Sequence, residues 1–215
     1  MTVAAGASLI GADVLNGVRP PPAPHAAKAP AHAPTQRLPL RTRSAPSRIE
    51  IPAIDVAAPV ISLGDADNGA IDVPPPNRPY LAGWYKYGAT PGQLGRTVIV
   101  GHLDSRYSGP AVFYRLHELR PGDEVTLTRH DGIMVEYRVD RTVLTPRDEF
   151  PAADVYGPSA APELRLITCG GTYTKSTGWT DNVVVYGHIT SWHHSSLAED
   201  APDHVQQPSR SRKRT

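Results

Sequence analysis

Ile133-Met134-Val135-Glu136-Tyr137-Arg138-Val139-Asp140 carries the reading that decides the fold. Ile133, Val135, Tyr137 and Val139 face one way and Glu136, Arg138 and Asp140 the other, a period of two that marks a half-buried strand. Upstream, Val125-Thr126-Leu127 alternates in the same way, and Asp131-Gly132 between the two runs is a hairpin signal. Further out, Arg48–Ile51 alternates as well. Arg96–Val100, Leu164–Thr168 and Asn182–Tyr186 are short apolar runs rich in β-branched residues, suited to strands buried on at least one face. Pro91-Gly92, Pro121-Gly122-Asp123 and Gly170-Gly171 punctuate them as turns. No long amphipathic helix interrupts the series; short helical turns are expected around Ala111–Leu119 and Ala152–Tyr156. Seven or eight strands with little helix predict an all-β domain, a single closed β-barrel of about eight strands, because closure removes exposed edges.

Outside this region the composition changes. Residues 19–47 hold eight prolines in 29 positions and predict an extended polyproline linker, serving either as a spacer or as a plain unpacked segment. Residues 1–18 form an apolar leader too short to span a bilayer. It reads either as an unpacked leader or as the remnant of a signal or anchor. The polar stretch 191–215, ending SRSRKRT, is expected to be a disordered tail. The barrel domain is therefore placed at residues 48–190, where all 14 aromatic residues except Trp192 lie.

Charge and cysteine usage exclude several classes. The 215-residue chain has 22 basic and 21 acidic side chains, but Arg48 to Thr190 holds 13 basic against 17 acidic. A faintly acidic core with basic tails argues against nucleic-acid binding, which needs a basic face on the folded part. One cysteine excludes an internal disulfide framework and a multi-cysteine zinc knuckle. No cofactor or metal is expected; Cys169 with His102 would give zinc only two ligands. Asp65, Asp67 and Asp72 read as a solvated acidic turn.

That cysteine, Cys169, ends a strand and precedes Gly170 and Gly171. A lone cysteine is usually a small buried hydrophobe. Here the strand end offers access, the glycines admit a substrate backbone and free amides for an oxyanion, and Thr168 stands where a core would favour an aliphatic. A thiol nucleophile needs a partner that makes it a thiolate. Among nine histidines, His102 stands out: it follows Val98-Ile99-Val100-Gly101 at another strand end, whereas His188 reads as structural. Tyr114, with Tyr80, Tyr173 and Trp179, offers apolar surface for a peptide, or core.

VIVGHLDS (98–105), GPAVFYRLHEL (109–119), RPGD (120–123), LRLITCGG (164–171) and DNVVVY (181–186) resemble, in that order, the sortase family, nearest its actinobacterial class F with class E close by. The resemblance covers about Arg48 to Ile189. It implies an eight-stranded barrel that works as a cysteine transpeptidase on the outer face of the membrane of Gram-positive bacteria, tethered at its N-terminus and monomeric. Cys169 falls on the family nucleophile and His102 on its histidine, the general acid/base. Thr168, Gly170 and Tyr114 become candidates for oxyanion and substrate binding. The implied substrate is a protein bearing a C-terminal Leu-Pro-x-Thr-Gly-like sorting signal, and the implied acceptor is an amine on a peptidoglycan precursor. The family arginine is expected just before Asp181-Asn182, where this chain has Thr180. Lys175 is the only cation between Cys169 and Thr190, and it reads either as a substitute or as a solvated loop lysine. The missing arginine also keeps open a non-catalytic peptide-binding module, and a thiol peptidase is a third reading.

Overall fold

The computed structural model describes residues 39–67 and 70–194. Ten strands are formed: β1 (Pro46–Ile51), β2 (Val56–Leu63), β3 (Ala82–Tyr85), β4 (Gly95–Gly101), β5 (Asp104–Ser105), β6 (Gly109–Pro110), β7 (Glu124–Arg129), β8 (Ile133–Pro146), β9 (Pro162–Thr174) and β10 (Gly178–His194). Eight of them close a barrel in the order β1-β2-β3-β4-β9-β10-β8-β7, while β5 and β6 form a separate two-stranded ribbon. The β2–β3 and β4–β9 pairs are parallel and the remaining barrel pairs antiparallel. The all-β, eight-stranded barrel expected from alternation is thus the architecture observed.

Alternation explains which face goes inside. Ile133, Val135, Tyr137 and Val139 of β8 join Ile49, Ile51, Val125, Leu127, Leu164, Leu166, Val183 and Val185 in the barrel core. Several intervening residues of β4, β9 and β10 are apolar too, because a second layer covers part of their outer face. Val98, Val100, Ile167, Val184 and Tyr186 pack there against Val155 of the short helix α1 (Ala152–Tyr156), with Phe150 and Val143 at the margin. The connection between β8 and β9 thus acts as a cover over three central strands. This burial on both faces is what an unbroken apolar strand predicts.

The folded unit reaches beyond both expected limits of 48 and 190. At the start, β1 begins at Pro46, the Leu40 amide donates to Gly92 O (2.9 Å), and the buried Arg129 donates to Thr42 O (3.0 Å). At the end, β10 pairs through His194 with Ile133, so Ser191 to His194 are strand rather than tail. The expected leader, most of the linker and the rest of the tail lie outside the described residues. Among those described, no helix is long and apolar enough to cross a membrane.

Candidate active site

The parallel β4–β9 ladder brings the two candidate residues to one place. It runs from Gly95↔Pro162 to Val100↔Ile167, a constant offset of 67 residues. Two residues further along each chain stand His102 and Cys169, in matching register. Two steps also preserve the face of a strand, so both follow Val100 and Ile167 on the outer side, where the sheet emerges from beneath the β8–β9 connection. Across β10 and β8 the same row continues: Cys169 pairs with Asn182, and Asn182 with Thr145. Four strand positions therefore meet at one open end of the covered face.

Cys169 is exposed to solvent at this rim. The surrounding wall still strips water from the sulfur, and this desolvation pushes the thiol above its ordinary value; Arg147 opposes the rise and Asp104 adds to it. The accessible thiol and the upward shift are compatible, because one open side suffices for attack while the other sides are crowded. His102 is half-buried, with Nε2 2.6 Å from Pro74 O. A carbonyl only accepts, so Nε2 carries the hydrogen and Nδ1 is the nitrogen left to gain or lose a proton. Pro74 belongs to a proline-rich strap over 72–81, which also accepts from Ser105 Oγ through Pro76 O (2.7 Å). Gly101 lets β4 approach closely before the histidine: a Cβ there would sit 2.5 Å from Phe113 Cδ2 and 2.7 Å from Val112 Cγ1.

The other sequence candidates are distributed differently. Thr168 is buried and shares the inward face of Leu164 and Leu166, so its hydroxyl points away from the thiol and only its backbone adjoins the site. Gly170 is also buried, and a Cβ there would meet Leu144 Cδ1 and Val183 Cγ2 at 2.9 Å. Lys175 lies at the exposed tip of the β9–β10 hairpin, six residues beyond Cys169 along a mostly extended chain, on the order of 15–20 Å. The loop does not fold back, so Lys175 is not brought to the sulfur. Tyr114 and Tyr80 line a separate hollow of about 250 Å³ with Ile54, Ala58 and Pro110, which includes neither Cys169 nor His102. Tyr173 and Trp179 pack edge to face on the hairpin, and Trp179 Nε1 donates to Asp104 Oδ1 (2.9 Å). Another hollow, of about 830 Å³, opens at the far end of β4 around Leu40, Gly95 and Tyr156. His188 Nδ1 lies 2.6 Å from Asp140 Oδ1, away from the thiol's row.

Sequence reasoning missed Arg147. It opens the β8–β9 connection immediately after Pro146, and its positive field acts on the Cys169 thiol. The signal that could have found it is long-range: the β8–β10 pairing ends at Pro146↔Asp181, and Arg147 is the next residue.

The barrel thus carries one thiol and one imidazole at the same rim of its covered face. The Sortase domain family matches residues 49–190, and the chain belongs to the sortase family, a family of cysteine transpeptidases. Solved structures agree on the fold. Sortase A of Listeria monocytogenes is 20% identical with a TM-score of 0.54, the match covering 72% of this chain and 93% of that one. The SrtA sortase from Actinomyces oris is 17% identical with a TM-score of 0.55, covering 89% and 97%. The pilus-related sortase C of Group B Streptococcus is 19% identical with a TM-score of 0.51, covering 71% and 70%. No curated protein matches the chain.

Proposed function

We propose that this protein is a class F- or E-like sortase that cleaves a C-terminal sorting signal of the Leu-Pro-x-Thr-Gly kind and transfers the acyl group to an amine of a peptidoglycan precursor. The register match of His102 and Cys169 at the end of one parallel ladder carries this reading. Cys169 Sγ, as thiolate, attacks the threonyl carbonyl carbon; the C–N bond breaks, and the leaving amine takes a proton from His102 Nδ1. The resulting thioester is attacked by the incoming amine, which returns a proton to His102 as the C–S bond breaks. A positioned imidazole contributes about 10²–10⁴-fold to such proton transfers. Backbone amides beside Gly170 supply part of the oxyanion stabilisation. The site of action is the outer face of the plasma membrane, where sorting signals and cell-wall amines meet.

Thr180 at the motif arginine position favours a second reading, a peptide-binding barrel without chemistry. Mass spectrometry of the protein incubated with a sorting-peptide library and an amine separates the readings. Transpeptidation gives a Cys169 thioester and an amide product, both lost in His102→Ala. A free-acid product alone marks a peptidase. Peptide binding without any His102-dependent adduct overturns the enzymatic reading.

A further inference from the structure

We propose that Arg147 supplies, from the end of β8, the guanidinium that Thr180 does not provide on β10, and that it donates to the carbonyl oxygen of the acyl substrate at Cys169. This rests on the transpeptidase reading above. The argument begins with register. Cys169, Asn182 and Thr145 form one cross-strand row, and Gly170, Asp181 and Pro146 form the next. The β10–β8 ladder ends at the Asp181↔Pro146 pair, and Arg147 follows it as the first residue of the 3-10 turn Arg147–Glu149. The arginine absent beside Asp181 on β10 is thus matched by an arginine beside Pro146, the β8 partner of Asp181. From β8 to β9 is two strand spacings, about 10 Å, a gap that a long guanidinium arm and a bound carbonyl oxygen can bridge between them.

The surrounding groups are committed, and Arg147 is not. Thr180 Oγ1 accepts from the Thr172 amide (3.0 Å) and donates to Asp181 Oδ2 (3.1 Å), so its hydroxyl serves the hairpin. Arg165 lies on the same face but is buried under the cover, donating to Asp154 O and Leu164 O and paired with Glu163. Arg147, by contrast, is exposed and makes no hydrogen bond or ion pair among the described residues, even with the adjacent Asp148 and Glu149. Its positive charge acts on the Cys169 thiol, opposing the upward push of desolvation and of Asp104. An uncommitted fork beside a nucleophile matches a developing oxyanion better than a point charge would.

The test uses the whole chain and two readouts. In the first, acylation by a sorting peptide is followed by mass spectrometry. Arg147→Ala slows it about 10²-fold, Arg147→Lys recovers part of the rate, and Thr180→Arg placed in Arg147→Ala restores most of it. A merely structural arginine would not be replaced from the next strand, so loss without this rescue overturns the proposal, as does acylation at the wild-type rate. The second readout needs no substrate: the pH midpoint of Cys169 alkylation by iodoacetamide. The charged groups acting on the thiol are Arg147 from the β8–β9 connection and Asp104 from the segment after β4; His102 after β4 and Asp181, one row along on β10, are the other titratable groups at this rim. Arg147→Ala is expected to move that midpoint upward, and an unmoved midpoint overturns the proposal even if no peptide acylates the wild type. Failure of the wild type to form an adduct counts against the transpeptidase reading. A wild type that acylates, with Arg147→Ala either as fast or slowed without rescue by Thr180→Arg, counts only against this assignment.

Discussion

The stretch of β9 just after the nucleophile offers a perturbation whose size can be worked out in advance. Gly171 has φ +78°, and a Cβ there would lie 1.9 Å from Asp181 Oδ2 and 2.4 Å from Thr180 Oγ1. Gly178, at the other end of the same hairpin, has φ +73° and nothing within 4 Å of its imaginary Cβ. Both pay about 1–2 kcal/mol when alanine is forced into left-handed backbone; only Gly171 pays for contact. Relieving that contact swings Thr180 and Asp181 away and gives up the Thr180 hydroxyl's two hydrogen bonds, to Thr172 N and to Asp181. At about 0.5–1.5 kcal/mol each, Gly171→Ala should cost about 1–3 kcal/mol more than Gly178→Ala. For a barrel of this size 1 kcal/mol moves Tm by about 2–4 °C. Calorimetry should therefore show Gly178→Ala lower by about 2–8 °C and Gly171→Ala lower by about 2–12 °C more. Hydrogen exchange at the Thr172 amide gives a local check, accelerating only in Gly171→Ala. Gly171 is two residues from Cys169, so acylation should slow in that variant and persist in Gly178→Ala. Equal stability of the two variants, with Thr172 protected in both, would refute the packing argument.

Two further outcomes follow from the charges. Desolvation raises the Cys169 thiol above its ordinary value, so the thiol form predominates at neutral pH. Iodoacetamide alkylation should therefore accelerate about tenfold per pH unit from about pH 6 to 8, and a plateau inside that range contradicts the shift. Because the folded thiol keeps its proton more tightly than the unfolded one, this group's contribution to stability holds below the ordinary thiol value and is lost as pH rises through the folded one. The second outcome concerns Arg129, whose side chain is fully buried and bonded to Asp131 (3.0 and 2.6 Å), Pro91 O (2.7 Å) and Thr42 O (3.0 Å). Asp131→Ala leaves that charge with only neutral acceptors, the Pro91 and Thr42 carbonyls and the Thr42 hydroxyl. A cost of about 3 kcal/mol is expected, the low end of the range for breaking a buried pair because Asp131 is itself about one-third exposed. The hydrogen bond from Arg129 holds the Asp131 carboxyl below its ordinary range, so the stabilisation is present above about pH 4 and fades as pH falls through the folded value. Melting temperatures of wild type and variant should converge in acid, and a gap that stays constant to low pH counts against the pair.

What could be read from the chain, and what could not, divides by range of interaction. Ile133–Asp140 gave its strand away because a side chain's face depends only on its own position, and the Asp131-Gly132 turn is equally local: Gly132 N bonds Arg129 O at 3.1 Å. The α1 helix at Ala152–Tyr156 was likewise legible. β2 was not, since Val56–Leu63 contains Pro59, and strand propensity alone cannot say that the parallel pairing with β3 carries it. Past Asp140 the period of two also fails as a guide. A register shift between Tyr186 and Gly187 bends the pairing, after which Val143 contributes to the outer cluster and Leu144 to the inner one. Thr168 shows a related limit: its polarity pointed to the site, while parity with Leu164 and Leu166 turns its hydroxyl inward.

Cys169 and Arg147 show the same division at the site itself. The thiol, its glycines and the histidine after Val98–Gly101 are short motifs, so each could be picked out, yet their meeting required the constant 67-residue offset between β4 and β9. Arg147 has no motif to announce it. Its position is the product of two registers, β9 on β10 and β10 on β8, and a one-residue slip in either would turn the row over or move it along the strands. A cation demanded at one point of a cleft can be supplied by any strand whose register reaches that point, because the developing charge responds to where the guanidinium sits and not to which segment carries it. The absence of arginine at Thr180 therefore argues against catalysis only if nothing else arrives there, and in this barrel an unpaired guanidinium stands at the neighbouring position.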